Sequence, residues 1–344
     1  MPTASIDFTL ATFTMIFLVM GAISGINMIA EPYFEQVAHD QERYGHLGRH
    51  ILLSQGNPSD WGFGDIPTSL GFSSGGGAYE LDIDKVTRMN PSNAYAINYS
   101  SLWQALGVDD VSFRIKVDTL FDLALNLTSS QGQGNATVYT FSALTASSGY
   151  PIQAQLSYYI ALRNSTYSAT GSTNGMGLGS IQFALPDSEN GTALLVGIAK
   201  MSGSIVSYDV LSFAHNSGEP KEFGTYAVLN PLNYVLDVDL HQGAIAWNAA
   251  VFTKNYVFNL TSNGANYTIP HLLDASPMII VLTGANSSDC WAEWVAYPQV
   301  PLEIGAGMSD DYTVSDVVAV TYIVGINGAL YRITFNFRSP ATYD

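Results

Sequence analysis

From Phe8 to Ala30 the chain carries no charge, FTLATFTMIFLVMGAISGINMIA, and any fold must find a place for this run. As a helix rising about 1.5 Å per residue it is long enough to cross a hydrocarbon core of about 30 Å, so the sequence predicts a membrane-spanning or filament-core helix. A cleaved secretory signal fits less well, because its apolar stretch is only about 7 to 15 residues and follows a basic segment. The helical pattern continues beyond the run. Tyr33, Val37, Tyr44, Leu47 and Ile51 recur at helical spacing, Pro32 predicts a kink, and Gly56-Asn57-Pro58 supplies a stop. Gly21 and Gly25, four apart in the apolar run, allow close helix approach and are candidate assembly positions.

The remainder must fold independently of that helix. With 344 residues, 47% of them hydrophobic, the chain can bury more than one core. Only 12% of residues are charged, 29 acidic against 12 basic, and a net charge of -17 argues against nucleic acid as a partner. Surface hydration therefore falls to Ser, Thr, Asn, Gly and the 20 tyrosines, a composition suited to secreted or surface material. The single cysteine, Cys290, excludes an intrachain disulfide.

Asn-X-Ser/Thr sequons occur at Asn98, Asn126, Asn135, Asn164, Asn190, Asn259, Asn266 and Asn286, all C-terminal to the apolar run. These are candidate glycosylation sites, and they orient the C-terminal part outside the cell. Asn and Ser/Thr also co-occur in ordinary β-turns.

Ala4-Ser5-Ile6-Asp7-Phe8, followed at once by the apolar helix, resembles the start of mature archaeal type IV pilin-like proteins with a class III signal peptide. Gly56-Asn57-Pro58-Ser59-Asp60-Trp61, Leu81-Asp82-Ile83-Asp84-Lys85-Val86 and Tyr99-Ser100-Ser101-Leu102-Trp103-Gln104-Ala105-Leu106-Gly107 resemble the module that follows the helix in that family. The resemblance covers roughly the first 125 residues. It implies Thr3 as the first mature residue and Asp7 as the acidic fifth, which pairs with a neighbouring subunit's N-terminal amine during assembly. Asp7 is equally explained as a first-turn acid favoured by the helix dipole.

The expected fold is an N-terminal long hydrophobic α-helix followed by mainly β extracellular domains. The expected divisions are 1–56 for the helix, 57–128 for a small α/β module, 135–213 for an immunoglobulin-like β-sandwich and 214–344 for a second β domain. In the module, Ser100 is placed to cap a helix ending at Gly107, and Val111, Phe113, Ile115 and Val117 alternate with polar residues as a strand does. Ser129–Gly134 reads as a linker, and five short β-like runs follow it. Asn327-Gly328 between two apolar runs marks a tight hairpin.

Motifs for chemistry are sparse. Gly71-Phe72-Ser73-Ser74-Gly75 matches a nucleophile elbow in pattern but lies between a Pro-containing loop and glycines, so a flexible loop is expected. Asp237, Asp239 and His241 alternate along an expected strand, either as a cation site or as a solvated face. Asp310 and Asp311 sit in an expected turn, and His39, His46 and His50 lie on the helix without the zincin Glu. Trp291, Trp294 and Tyr297 are candidates for an adhesive surface, although Trp291 and Trp294 cannot share one strand face, which sends at least one of them to the core.

The sequence thus points to a glycosylated, pilin-like subunit of a cell-surface filament, with adhesion as a candidate role. Its expected partners are copies of itself or related subunits, the membrane and N-linked glycans; neither enzymatic activity nor a cofactor is expected. The alternative is a single-pass membrane-anchored module binding a glycan, solute or neighbouring surface protein. A third reading, an ectoenzyme, would rest on Ser73 or on a metal at Asp237 and His241.

Overall fold

A computed structural model describes residues 3–264, 266–272, 274–308 and 317–338; the side chains of 3–10, 27 and 29–38 lie outside the described part. The contacts divide the chain into two compact units, Met1–Arg49 and His50–Asp344.

Helix α1 runs Thr3–Leu53, its backbone helical through Pro32. Among the described residues no helix is long and apolar enough to cross a membrane. This corrects the expected long hydrophobic helix. Thr9, Thr12, Thr14, Gly21, Ser24, Gly25 and Asn27 dilute the uncharged run, and acidic residues begin at Glu31.

Two short helices follow, α2 (Ile83–Arg88) and α3 (Tyr99–Leu106). The cap of α3 is Asn98, whose side chain accepts from Ser101 N, rather than Ser100; Gly107 ends the helix in the left-handed region, as expected. Strand β1 (Ser112–Thr119) buries Phe113, Ile115 and Val117 on one face. Then come β2 (Asp122–Gln133), β3 (Ala136–Ser147), β4 (Tyr150–Pro151), β5 (Gln155–Leu162), β6 (Ser165–Ser172), β7 (Leu178–Pro186), β8 (Gly191–Ser202) and β9 (Ile205–His215). The expected linker at Ser129–Gly134 is instead the end of β2 and its turn, because β2 stays paired with β3 as far as Gln133 opposite Ala136.

The C-terminal strands are β10 (Ala227–Leu232), β11 (Val235–Leu240), β12 (Ile245–Phe252), β13 (Val257–Asn259), β14 (Thr261–Asn263), β15 (Asn266–Thr268), β16 (Met278–Ala285), β17 (Cys290–Tyr297), β18 (Leu302–Gly305), β19 (Val317–Ile326) and β20 (Ala329–Arg338). The hairpin β19–β20 turns on Asn327 and Gly328, both at positive φ, as a type I′ turn requires.

The strands form five antiparallel sheets: β18-β1-β20-β19, β10-β11-β15-β14, β13-β12-β16-β17, β2-β3-β4 with β7 also on β3, and β6-β5-β8-β9. Two cores explain the layering. Phe121, Leu125, Phe141, Leu156, Ile160, Leu195 and Phe213 pack between the β2-β3-β7 and β6-β5-β8-β9 sheets. On the other face of the latter, Tyr159, Leu194, Val196 and Ile198 pack against Phe252, Ile279 and Val281 of the β12-β16 sheet.

The expected immunoglobulin-like sandwich plus second β domain is corrected accordingly. The β6-β5-β8-β9 sheet is the middle of three layers, and Ala193–Ala199 of β8 is buried on both faces, which is why that segment is continuously apolar instead of alternating. The sheet containing β1 closes only when β18 and β20 from the far end of the chain pair with it.

Candidate assembly surface and sugar-attachment sites

Between Phe13 and Met28 of α1 the described large apolar side chains are exposed on every side, whereas Tyr44, Ile51 and Leu52 near its C-terminal end are buried. Phe13, Met15, Ile16, Phe17, Leu18, Val19, Met20, Ile23, Ile26 and Met28 are all accessible, Phe17 at 72% and Met28 at 77%. Consecutive positions lie about 100° apart, so residues 15–20 alone encircle the helix. A Cβ added at Gly21 or Gly25 would meet nothing within 4 Å, so that stripe is open to a close neighbour. The side chain of Asp7 lies outside the described residues, as do Asp310 and Asp311.

The eight sequon asparagines lie on the β unit. Asn98, Asn126, Asn135, Asn164, Asn190, Asn259 and Asn266 are exposed or half-buried and Asn286 is half-buried, whereas Asn93 and Asn230, outside any sequon, are buried. The Asn98 side-chain Oδ1 accepts from Ser101 N at 2.8 Å, an arrangement that leaves its side-chain amide nitrogen available for a sugar.

Trp291, Trp294 and Tyr297 do not form one surface. Trp291 and Tyr297 share a buried face of β17, Trp291 stacked 5.8 Å from Tyr226 and Tyr297 edge-on to Tyr234 at 5.6 Å. Trp294, on the opposite face, is half-buried and has the exposed Phe223 ring 5.8 Å away. Asp237 accepts from the Tyr95 hydroxyl at 2.9 Å, while Asp239 and His241 are 3.7 Å apart. Among the described residues no group of three His, Cys, Asp or Glu is arranged to hold a metal ion. His46 lies 3.8 Å from Glu42 on the helix surface. Ser73 is buried, and its hydroxyl accepts from Gly75 N as part of a turn. Cys290 is half-buried.

Sequence reasoning missed a buried ionic cluster on α2, all six residues of which are buried. The Asp84 carboxylate accepts from Asn233 N at 2.8 Å and from the Tyr297 hydroxyl at 2.6 Å, and burial pushes its pKa up to about 6 against these bonds. Lys85 Nζ donates to the carbonyls of Gln55 and Ser73 at 2.8 and 3.0 Å, and burial lowers its pKa. Arg88 donates to the carbonyls of Trp61, Gly64 and Tyr95. The cations thus pin the loop 55–73 and the stretch after α2, while Asp84 ties the helix to the C-terminal sheets. The available signal was Asp82 as a helix cap in front of three charges within an otherwise apolar segment. A second buried carboxylate, Glu293, accepts from Gly224 N at 2.8 Å and Tyr226 N at 3.2 Å; burial raises its pKa.

No family model matches the chain, and no curated protein matches it. Among solved structures, human GIVD cytosolic phospholipase A2 matches at 8% identity over 67% of this chain and 33% of that chain, with a TM-score of 0.15. The same enzyme in complex with methyl gamma-linolenyl fluorophosphonate matches with the same identity, coverage and TM-score. This chain spans about a third of the length of those structures, and likeness at that TM-score carries no argument.

Proposed function

We propose that the protein is a pilin-like structural subunit of an extracellular filament or surface appendage, bearing N-linked glycans on its β unit. One observation carries this reading: apolar side chains are exposed around the whole circumference of α1 between Phe13 and Met28. Apolar side chains that encircle a stretch of helix are removed from water only when that stretch is surrounded. A single partner would cover one stripe. Several copies packed side by side in a filament core cover all of them, and the open stripe at Gly21 and Gly25 admits the closest neighbour. The accessible sequon asparagines and the sparse surface charge support a cell-surface location.

The test is electron microscopy of surface filaments together with mass spectrometry of the purified chain. Filaments built from this chain, beginning at Thr3 and carrying glycans at the sequons, are the expected result. Chain recovered only as unpolymerised material overturns the reading.

A further inference from the structure

The hairpin β19–β20 forms one edge of the β18-β1-β20-β19 sheet, and β19 has β20 as its only strand partner among the described residues. A two-residue hairpin closes on a hydrogen-bonded pair, here Ile326 opposite Ala329, so Val324, Tyr322, Val320 and Val318 direct their backbone groups to β20. The groups of Val317, Ala319, Thr321, Ile323 and Gly325 point the other way. Those of Gly325 are satisfied locally: its N–H donates to Tyr79 O at 2.9 Å and its carbonyl accepts from Leu81 N at 2.8 Å. Among the described residues, the outward backbone groups from Val317 to Ile323 pair with no strand.

Proteins normally blunt such an edge with a charge, a proline, a bulge or a short strand. At Gly325 the Tyr79–Leu81 segment covers the edge and sets the Glu80 carboxylate against it; from Val317 to Ile323 the strand itself has none of these. Val317–Ile326 reads VVAVTYIVGI, ten residues without charge, proline or register shift, and Ile323 is 51% exposed. Its absence of charge is distinctive in a chain of net charge -17. The sugar-attachment pattern avoids the same place. Sequon asparagines lie in or beside strands of each of the other four sheets, at Asn126 and Asn135, Asn164 and Asn190, Asn259 and Asn286, and Asn266. None lies in β1, β18, β19 or β20, or in the turn between the last two. Asn98 caps α3, which meets β1 from one side through Tyr99 against Phe113.

We infer that β19 is a docking edge for a second copy of this chain, the two β19 strands pairing antiparallel across a two-fold axis to make a continuous sheet. The occupant is a second copy because the edge is self-complementary. With the axis at Val320, Ala319 faces Thr321 of the other copy and Val317 faces its Ile323, so all four outward-directed residues become hydrogen-bonded pairs and no like charges meet. Two strongly acidic copies can approach at this uncharged edge, and sugars on the other sheets leave it bare. The inference stands apart from the packing of α1, because β19 belongs to the unit His50–Asp344.

Sedimentation velocity of the full-length chain in detergent tests it. The wild type is expected to sediment as a species containing paired copies. Thr321→Lys and, separately, Ala319→Glu are expected to weaken that pairing about tenfold or more, since each places a charge in the new ladder opposite an apolar or polar neutral residue. Mixing the two variants is expected to restore pairing, because the register sets the introduced ammonium at position 321 of one copy against the introduced carboxylate at position 319 of the other. Thr321→Pro, which removes only an outward N–H, provides a second disruption that leaves the β19–β20 bonds in place. An unpaired wild type, association indifferent to all three substitutions, or failure of the mixture to recover overturns the proposal. Association held by α1 alone would be indifferent to these substitutions, so failure here is distinguishable from failure of the filament reading.

Discussion

Tyr297 donates its hydroxyl hydrogen to Asp84 across 2.6 Å, joining the end of β17 to a six-residue helix 213 positions earlier in the chain. Asn233 N completes the cradle at 2.8 Å. A carboxylate placed there is costly to ionise, so this pair couples the fold to pH.

Burial raises the Asp84 pKa from 3.8 to about 6. Between those values the folded chain retains a proton that the unfolded chain has released. The resulting stabilisation is present in full below the unfolded pKa and is lost as pH rises through about 6; it amounts to about 3 kcal/mol as an upper bound. Asp84→Asn keeps an acceptor for Tyr297 and Asn233 without an ionisable group. The variant is therefore expected to gain stability relative to wild type at pH 7, with the difference shrinking at pH 4, as measured by guanidinium unfolding at the two pH values.

Asn98 has a structural role and, on the proposed function, a second one as a sugar-attachment site. Its side-chain Oδ1 caps α3, and the sequon it begins needs Ser100. Asn98→Ala is expected to cost about 1 kcal/mol in thermal or denaturant unfolding of unglycosylated chain, whereas Asn98→Asp retains the cap. In chain from the native host, Asn98→Asp and Ser100→Ala should each remove the glycan from this site in glycopeptide mass spectra.

Gly284 sits where the β12–β16 ladder passes beneath Trp291. A Cβ there would overlap the Ile245 carbonyl oxygen and the Trp291 ring. Gly284→Ala is expected to destabilise the β unit by about 2 to 3 kcal/mol. Gly132→Ala in β2, where a Cβ meets nothing within 4 Å, should be near neutral in the same denaturant titration.

If α1 packs closely against its neighbours, bulk on the open stripe matters more to assembly than to folding. Gly21→Leu and Gly25→Leu are expected to reduce filament yield strongly in electron micrographs while the β unit melts as in wild type. Filaments of unchanged number and diameter would exclude this stripe as a contact.

The local elements were legible because their signals are carried by neighbouring residues. Phe113, Ile115 and Val117 alternate with polar residues and form β1; Asn327-Gly328 has the backbone freedom a type I′ turn demands; Gly107 ends α3. The accessible sequons follow from short polar segments that remain at the surface. Ser129–Gly134, linker-like by composition, shows the limit of this logic: its residues permit a flexible loop, and pairing with β3 makes most of it a strand.

Which strands pair and which faces are covered depends on contacts that no single segment specifies. Period-two alternation fixes where side chains point along one strand but contains no information about a partner nearly two hundred residues away, such as Glu303 opposite Lys116. The two-sided burial of β8, the union of β1 with β18 and β20, and the Asp84–Tyr297 bond all depend on contacts between distant parts of the chain. Neighbouring residues suffice for the Asn327-Gly328 turn, the end of α3 and the strand-forming segments, whereas three-layer packing sets the arrangement of the strands, because burial is shared among segments and is not a property of any one of them.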